Sequence, residues 1–259
     1  ISRDKFHGKF HLHDQYEIYF LLSGDVNLFV NNACYHLEKG NMLFFNKTDI
    51  HKAVTISNDI PYERITIHFN PSIISDIPLA KTDLLSCFED KGKDGQRIVL
   101  LDLNQSDYFT NTAIKMIQKL DKGDYGSDIL PMTYLIQILY MINDLYFNKR
   151  QSLKNTMSDK IQATVEYIDD HLTDDLSLDM ISDDLSISKY HLCHTFKENT
   201  GTTIYQYIIV RRIALAKKVL LSGKSVTEAC HESGFNDYSN FIRTFKKETG
   251  VSPGNFGKY

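Results

Sequence analysis

Phe196-Lys197-Glu198-Asn199-Thr200-Gly201 returns 49 residues later as Phe245-Lys246-Lys247-Glu248-Thr249-Gly250. The correspondence runs outward from there. Leu192 pairs with Phe241, His194 with Arg243, Thr195 with Thr244, Thr203 with Ser252 and Tyr207 with Phe256. A period of this size marks a duplicated supersecondary unit. Each copy has the parts of a helix-turn-helix: a short first helix, a tight turn and a second helix with an outward face that can enter a major groove. In the second copy Ala229 and Cys230 are small enough for close helix packing, Gly234 suits a positive φ, and Phe241 and Phe245 face inward four apart. Tyr238, Ser239, Ile242, Arg243 and Lys246 are then expected on the outward face. The first copy offers Lys189, Tyr190, Cys193, His194 and Lys197. Arg243 suits a bidentate contact to guanine, whereas lysines more often meet phosphates.

Around the repeat the helical spacing continues. Helices are predicted over Ile161–His171, Leu178–Leu185, a segment capped by Ser188 and stopped by Gly201, Thr203–Leu221, Val226–Glu232 and Tyr238–Glu248. The net charge of −4 does not argue against DNA, because the charges are segregated. Asp159 to Asp184 holds nine acidic residues against Lys160, and Ser186 to Tyr259 holds eleven Lys and Arg against five Asp and Glu.

The first third has a different texture. Tyr16–Leu22, Val26–Val30, Met42–Phe45 and Arg64–Phe69 are short strands separated by Gly, Asn and Asp, which points to a sandwich or small barrel. Beyond Pro71 the period becomes helical, over Tyr108–Leu120 and more strongly over Ile129–Asn148. The second helix carries Leu135, Ile138, Leu139, Ile142 and Leu145 on one face, widened by Tyr134, Tyr140 and Tyr146. It needs a partner surface, either the barrel or the same helix of a second subunit. The polar stretch 149–158 is expected to link two domains, 1–148 and 159–259.

At 259 residues the chain can hold two cores. No apolar run approaches a membrane span. The opening residues lack a basic stretch followed by an apolar core, so no secretion signal is visible and a cytoplasmic location is expected. Cys34, Cys87, Cys193 and Cys230 form no close pair, so free thiols are expected rather than disulfides or a zinc site.

The run Gly234-Phe235-Asn236-Asp237-Tyr238-Ser239-Asn240-Phe241, then Phe245-Lys246-Lys247 and Gly250-Val251-Ser252-Pro253, resembles the AraC/XylS family of bacterial transcription regulators. Arg212-Ile213-Ala214-Leu215-Ala216-Lys217 fits the same pattern. The resemblance implies an α+β protein of two domains. An N-terminal cupin-like β-barrel would carry a helical dimerisation segment. An all-α C-terminal domain of seven helices would hold two helix-turn-helix units joined by a long helix. It also implies promoter DNA, RNA polymerase, a small-molecule effector and a second copy of the chain as partners, with no membrane. Activation is the commoner outcome in such a family. Ser182 stands where the family usually has Ala, His194 where Arg is frequent, and Gly257-Lys258 in place of a terminal Tyr-Arg.

His11-Leu12-His13-Asp14-Gln15-Tyr16-Glu17 followed by Gly24 resembles the first cupin motif, and His51 after Gly40 falls where the second motif places its histidine. Asn46 and Thr48 replace the usual Pro and Gly there. Alternate residues His11 and His13 of a strand would point together into the barrel. The resemblance implies an effector site at His11, His13, Glu17, Tyr19 and His51, with a sugar as one effector class; Tyr16 and Tyr19 suit stacking on it but equally suit a core. The alternative is a divalent metal on His11, His13, Glu17 and His51. No cofactor is required for the regulator reading, which is not enzymatic. A metal-dependent cupin enzyme with an accessory helical domain is the competing function.

Overall fold

The structure is a computed structural model describing residues 8–57, 59–78, 81–90, 97–123, 125–148 and 156–256. Most of the linker stretch, residues 149–155, and Gly257-Lys258 lie outside these. The N-terminal part is built on β1 (Tyr16–Ser23), β2 (Val26–Val30), β3 (Ala33–Leu37), β4 (Asn41–Phe45), β5 (His51–Thr55), β6 (Glu63–Phe69) and β7 (Ile98–Leu100). The cupin-like barrel takes the form of two facing antiparallel sheets, ordered β6-β1-β4-β7 and β3-β2-β5.

Alternation along β1 explains the layering. Tyr16, Ile18 and Phe20 face one way, with Phe44 and Ile67, into a core with Phe88, Phe109, Leu135, Ile138 and Ile142. Tyr19 and Leu21 face the other way and meet Val26, Leu28, Tyr35 and Ala53 of the second sheet. Buried on both faces, β1 is almost continuously apolar; Glu17 is the exception.

The first core is closed by α1 (Ser72–Ser75), α2 (Ser86–Glu89), α3 (Leu103–Lys122) and α4 (Leu130–Asn148). Asp102 and Gln105 form a capping box at the start of α3, and Gly123 ends it at φ 58. The apolar stripe of α4, with Tyr146, is spent inside the chain, whereas Tyr140 points to solvent.

The C-terminal part comprises α5 (Asp159–Asp170), α6 (Leu178–Asp184), α7 (Lys189–Thr200), α8 (Ile204–Leu221), α9 (Val226–Glu232) and α10 (Tyr238–Thr249), followed by a 3-10 turn at Pro253–Asn255. The duplication is literal. α7 and α10 have 12 residues each, N-capped by Ser188 and Asp237, and end at left-handed Gly201 and Gly250. Thr200 and Thr249 each donate a hydroxyl proton to the carbonyl of the inward phenylalanine one turn back, Phe196 or Phe245. Those two rings are fully buried, worth about 1.5–3 kcal/mol each.

The copies differ at the turn. α6 and α9 have 7 residues each and are capped by Ser177 and Ser225. The second turn, Ser233–Asp237, is one residue longer than Leu185–Ser188. Both turns require a left-handed residue: Gly234 at φ 78 in one and Ser186 at φ 52 in the other. Gly234 also lets the turn press on the backbone after α5. A Cβ there would lie 2.7 Å from Leu172 O and 3.0 Å from Arg212 Nε. Arg212 of α8 secures that contact by donating to Leu172 O at 2.9 Å and Asp174 O at 2.7 Å.

Opposite outcomes are expected at the two equivalent turn positions. Gly234→Ala, strained in φ and clashing with backbone, should destabilise the chain by at least about 2 kcal/mol in urea unfolding. Ser186→Gly should stabilise it by up to about 1 kcal/mol, the left-handed penalty less the glycine entropy. Equal effects at both sites would contradict the assignment of the turns.

Candidate functional site

The polar cluster forms where Phe10–Asp14, an extended segment ahead of β1, runs against β5. His11 N donates to His51 O at 3.2 Å and His51 N returns the bond to His11 O at 3.1 Å. His11 and His13 thus lie in a bridged segment outside the named strands, not in a barrel strand as expected. The two-residue alternation nonetheless holds. His13 Nε2 lies 2.7 Å from Glu17 Oε2, and His51 Nε2 lies 2.9 Å from the same oxygen. The His51 contact is off the line a hydrogen bond needs, which leaves that buried nitrogen without a hydrogen-bond partner. The His51 ring is stacked 4.2 Å from Phe45 and edge-on to His11 at 4.4 Å. One donor atom from each of His11, His13, Glu17 and His51 falls within 4.8 Å of the others.

Burial alone would raise the Glu17 carboxyl. The imidazoles of His13 and His51 outweigh it and hold the group well below the usual carboxylate range. His11 keeps a solvent-facing edge, yet desolvation and the neighbouring His51 lower it to about 4.

A cavity of about 100 Å³ opens beside this cluster, between the edge strands β5 and β6. Its wall adds Tyr62, Arg64, Thr66 and His68 to His11, Glu17, Tyr19 and His51. Sequence reasoning missed those four. Their signal was available: Arg64, Thr66 and His68 alternate with the apolar Ile65, Ile67 and Phe69 along β6. The Tyr19 hydroxyl sits 3.0 Å from that of Tyr62, and the Arg64 guanidinium lies over the Tyr62 ring at 5.0 Å. Tyr16 is not part of this wall. Its ring stacks on Phe88 in the helix-covered core, and its hydroxyl donates to the Glu89 carboxylate.

On α7 the outward stripe is Tyr190, His194 and Lys197, and on α10, 49 residues on, Ser239, Arg243 and Lys246. Lys189 and Tyr238 are exposed at the helix starts. Lys189 is paired with Asp179 and His194 with Glu198, the latter at 3.1 Å, and the Tyr190 ring stacks on His194. Cys193 and Ile242 depart from expectation. Both are half-buried against the cores of their units. Each directly follows an inward residue (Leu192, Phe241) and stands three before another (Phe196, Phe245), so 3.6 residues per turn place it at the core's edge.

The two parts meet along a buried seam. Phe10, Leu12, Phe29, Cys34 and Ile50 share one buried cluster with Ile168, Phe196, Tyr207 and others of α5 to α8. Lys52, 1% exposed, donates to Thr200 O at the end of α7 at 2.6 Å and lies over the Phe10 ring. Lys217 of α8, also buried, pairs with Asp14 at 2.6 Å. Tyr207 OH donates to Asn31 O at 3.2 Å. Residues 10, 12, 14 and 52 therefore face the helical part, whereas 11 and 51 line the cavity and 13 meets Glu17. Nothing in the sequence marked Lys52 and Lys217 as interior.

Comparison with known proteins agrees with both halves. The AraC-like ligand binding domain family matches residues 2–139, and a helix-turn-helix domain family matches 181–259. The HTH-type transcriptional regulator in the cgkA 5' region of Pseudoalteromonas carrageenovora is 40% identical over 96 residues, 37% of this chain and 57% of that protein. The HTH-type transcriptional activator RhaS of Escherichia coli O9:H4 is 30% identical over 132 residues, 49% of this chain and 47% of RhaS. The matched stretches thus span about half the length of these relatives. Among solved structures, ToxT from Vibrio cholerae O395 aligns over 98% of this chain and 92% of its own, at 15% identity and TM-score 0.41. Among the described residues no helix is long and apolar enough to cross a membrane. A regulator family, not an enzyme family, accounts for this chain, which belongs to the AraC family of transcription regulators.

Proposed function

We propose that the chain is a sequence-specific, cytoplasmic DNA-binding activator controlled by a small-molecule effector held in the cavity between β5 and β6. The observation that carries this reading is the matched outward stripe on α7 and α10, side chains at the same three helical positions on two equivalent helices. Arg243 reads a base edge, and Lys197, Lys246 and Lys189 meet phosphates. RNA polymerase and a second copy of the chain are the proposed protein partners. The name of the relative RhaS, a transcriptional activator, supports the sign of regulation. A hydroxyl-bearing effector such as a sugar derivative suits the polar wall of Tyr19, Tyr62, Thr66 and the His/Glu cluster.

A second occupant is supported by a specific observation. Four donors of the right type lie together, and the buried Nε2 of His51 lacks a hydrogen-bond partner. His11, His13, Glu17 and His51 would hold a divalent metal, which would supply a Lewis-acidic anchor for an effector oxygen. The protein's own contribution would be to fix the imidazoles: the His11–His51 backbone bridge and the Phe45 ring orient two of them.

The mechanism we propose is a shift in population between domain arrangements. An effector that displaces His11, His13 or His51 moves the backbone that also carries Phe10, Leu12, Asp14 and Lys52 into the seam. The differential contact lies at the C-terminus of α7, where Lys52 satisfies a helix-end carbonyl.

Against DNA selected from a random pool, Arg243→Ala should weaken binding by about 1–3 kcal/mol in a gel-shift titration. Lys246→Ala should weaken it across sequences and flatten the salt dependence by about one unit. Full affinity in Arg243→Ala would contradict the assigned face. Lys52 gives a pH test. Burial lowers its ammonium from 10.5 to about 8, so between these values the unfolded chain binds the proton that the folded chain has released. Stability from this group therefore rises as pH increases through that window. Urea midpoints of wild type should rise relative to Lys52→Met between pH 8 and 10; parallel profiles would contradict the buried lysine.

A further inference from the structure

The chemistry of the cavity wall narrows the effector class, an inference that rests on the effector-site reading above. Among the described lining residues Glu17 is the only carboxylate. Both of its imidazole neighbours, His13 and His51, already sit on one oxygen at 2.7 and 2.9 Å. The remaining polar wall is the Arg64 fork, the hydroxyls of Tyr19, Tyr62 and Thr66, and the rings of His11 and His68, with Arg64 its permanent cation. His68 is placed by its strand register, opposite Glu17 across the β1–β6 pair, with its ring 4.8 Å from that of His13. A neutral polyol could use the hydroxyls and neutral imidazoles, which accept as well as donate, but it would make no use of the Arg64 charge. An amine would find its one possible counter-charge already occupied. An oxyanion needs donors and positive charge, and Arg64 offers a planar fork that matches a carboxylate two oxygens at a time. Arg64 stands on an edge strand with its side chain exposed at the cavity mouth, where a carboxylate can arrive without losing all its water.

We propose that the cavity recognises a small organic acid, with its carboxylate on Arg64 and its remaining oxygens toward the His11, His13, His51 and Glu17 cluster. The space of about 100 Å³ suits an acid of a few carbons, or the acid end of a sugar acid that projects through the mouth. Arg64 is the specificity-determining residue. The cluster is the second anchor, either through its own imidazoles or through a divalent metal on them, and in both cases the ligand class is the same.

The full chain would be titrated by calorimetry and thermal shift with glycolate, malate, malonate and gluconate, and with glycerol, erythritol and glucose as neutral counterparts. Each titration is run once with EDTA and once with added Mn²⁺ or Zn²⁺. At least one acid should bind saturably at one site and no neutral polyol should. Arg64→Gln should cut that affinity tenfold or more, with Arg64→Lys recovering part of it. Binding only with added metal assigns the anchor to the ion; binding with EDTA assigns it to the imidazoles. The proposal is overturned if no acid binds under either condition, if a neutral sugar binds instead, or if acid binding is indifferent to Arg64→Gln. DNA affinity that responds to a neutral sugar would overturn it while leaving the regulator reading in place. A chain that binds no DNA would remove the regulator reading whatever the acids do.

Discussion

Extended backbone sends neighbouring side chains to opposite sides, and the relation between the two halves of this protein depends on that constraint. Along Phe10–Asp14 and at His51–Lys52 it deals residues alternately to a polar cavity and to an interdomain seam. His11, His13 and His51 gather on Glu17, while Phe10, Leu12, Asp14 and Lys52 engage α7 and α8. Neither face can move far without the other, because short backbone pairing, His11 with His51 and Gly8 with Ala53, joins the two pieces. The seam is also chemically demanding. It buries two lysines, and each is tolerated because it meets an oxygen: Lys52 a helix-terminal carbonyl, Lys217 the Asp14 carboxylate.

The two helix-turn-helix units share a plan but not a finish. The second has the glycine its turn requires and a turn locked by Arg212 onto Leu172 and Asp174. The first makes the same turn with Ser186 and takes its support from the sensor part, through Lys52 and the shared apolar cluster. On the outward faces the difference continues. Arg243 is exposed on α10, whereas His194 on α7 is held between Glu198 and the Tyr190 ring. The reading helix of the first unit ends on Lys52 of the N-terminal part, which is where a signal from the cavity would be felt.

Much of this was legible in the residues. The offset of 49 placed α7 and α10 in register, and caps at Ser188 and Gly201 fell where the side-chain chemistry demands. The four His/Glu side chains singled out by the resemblance to the cupin motifs also gather in one place. The misses have physical causes. Strands β3, β5 and β7 are short, and β5 puts polar His51 and Lys52 on its two faces, so it carries no apolar alternation. Tyr16 and Tyr19 look equivalent in sequence, but an odd spacing on a strand puts them on opposite faces. Cys193 and Ile242 fell a third of a turn from where a two-sided picture of a helix assigns them. Lys52 and Lys217 could not be found at all, since a lysine in sequence reads as solvent-exposed until its partner is known.

If α7 and α10 are both reading helices on one rigid framework, they must engage two successive major-groove segments on one face of the duplex. Hydroxyl-radical footprinting of the chain on its selected DNA measures this directly. Two protected segments about 10 base pairs apart on the same face are expected; protection confined to a single segment would contradict the double-unit account.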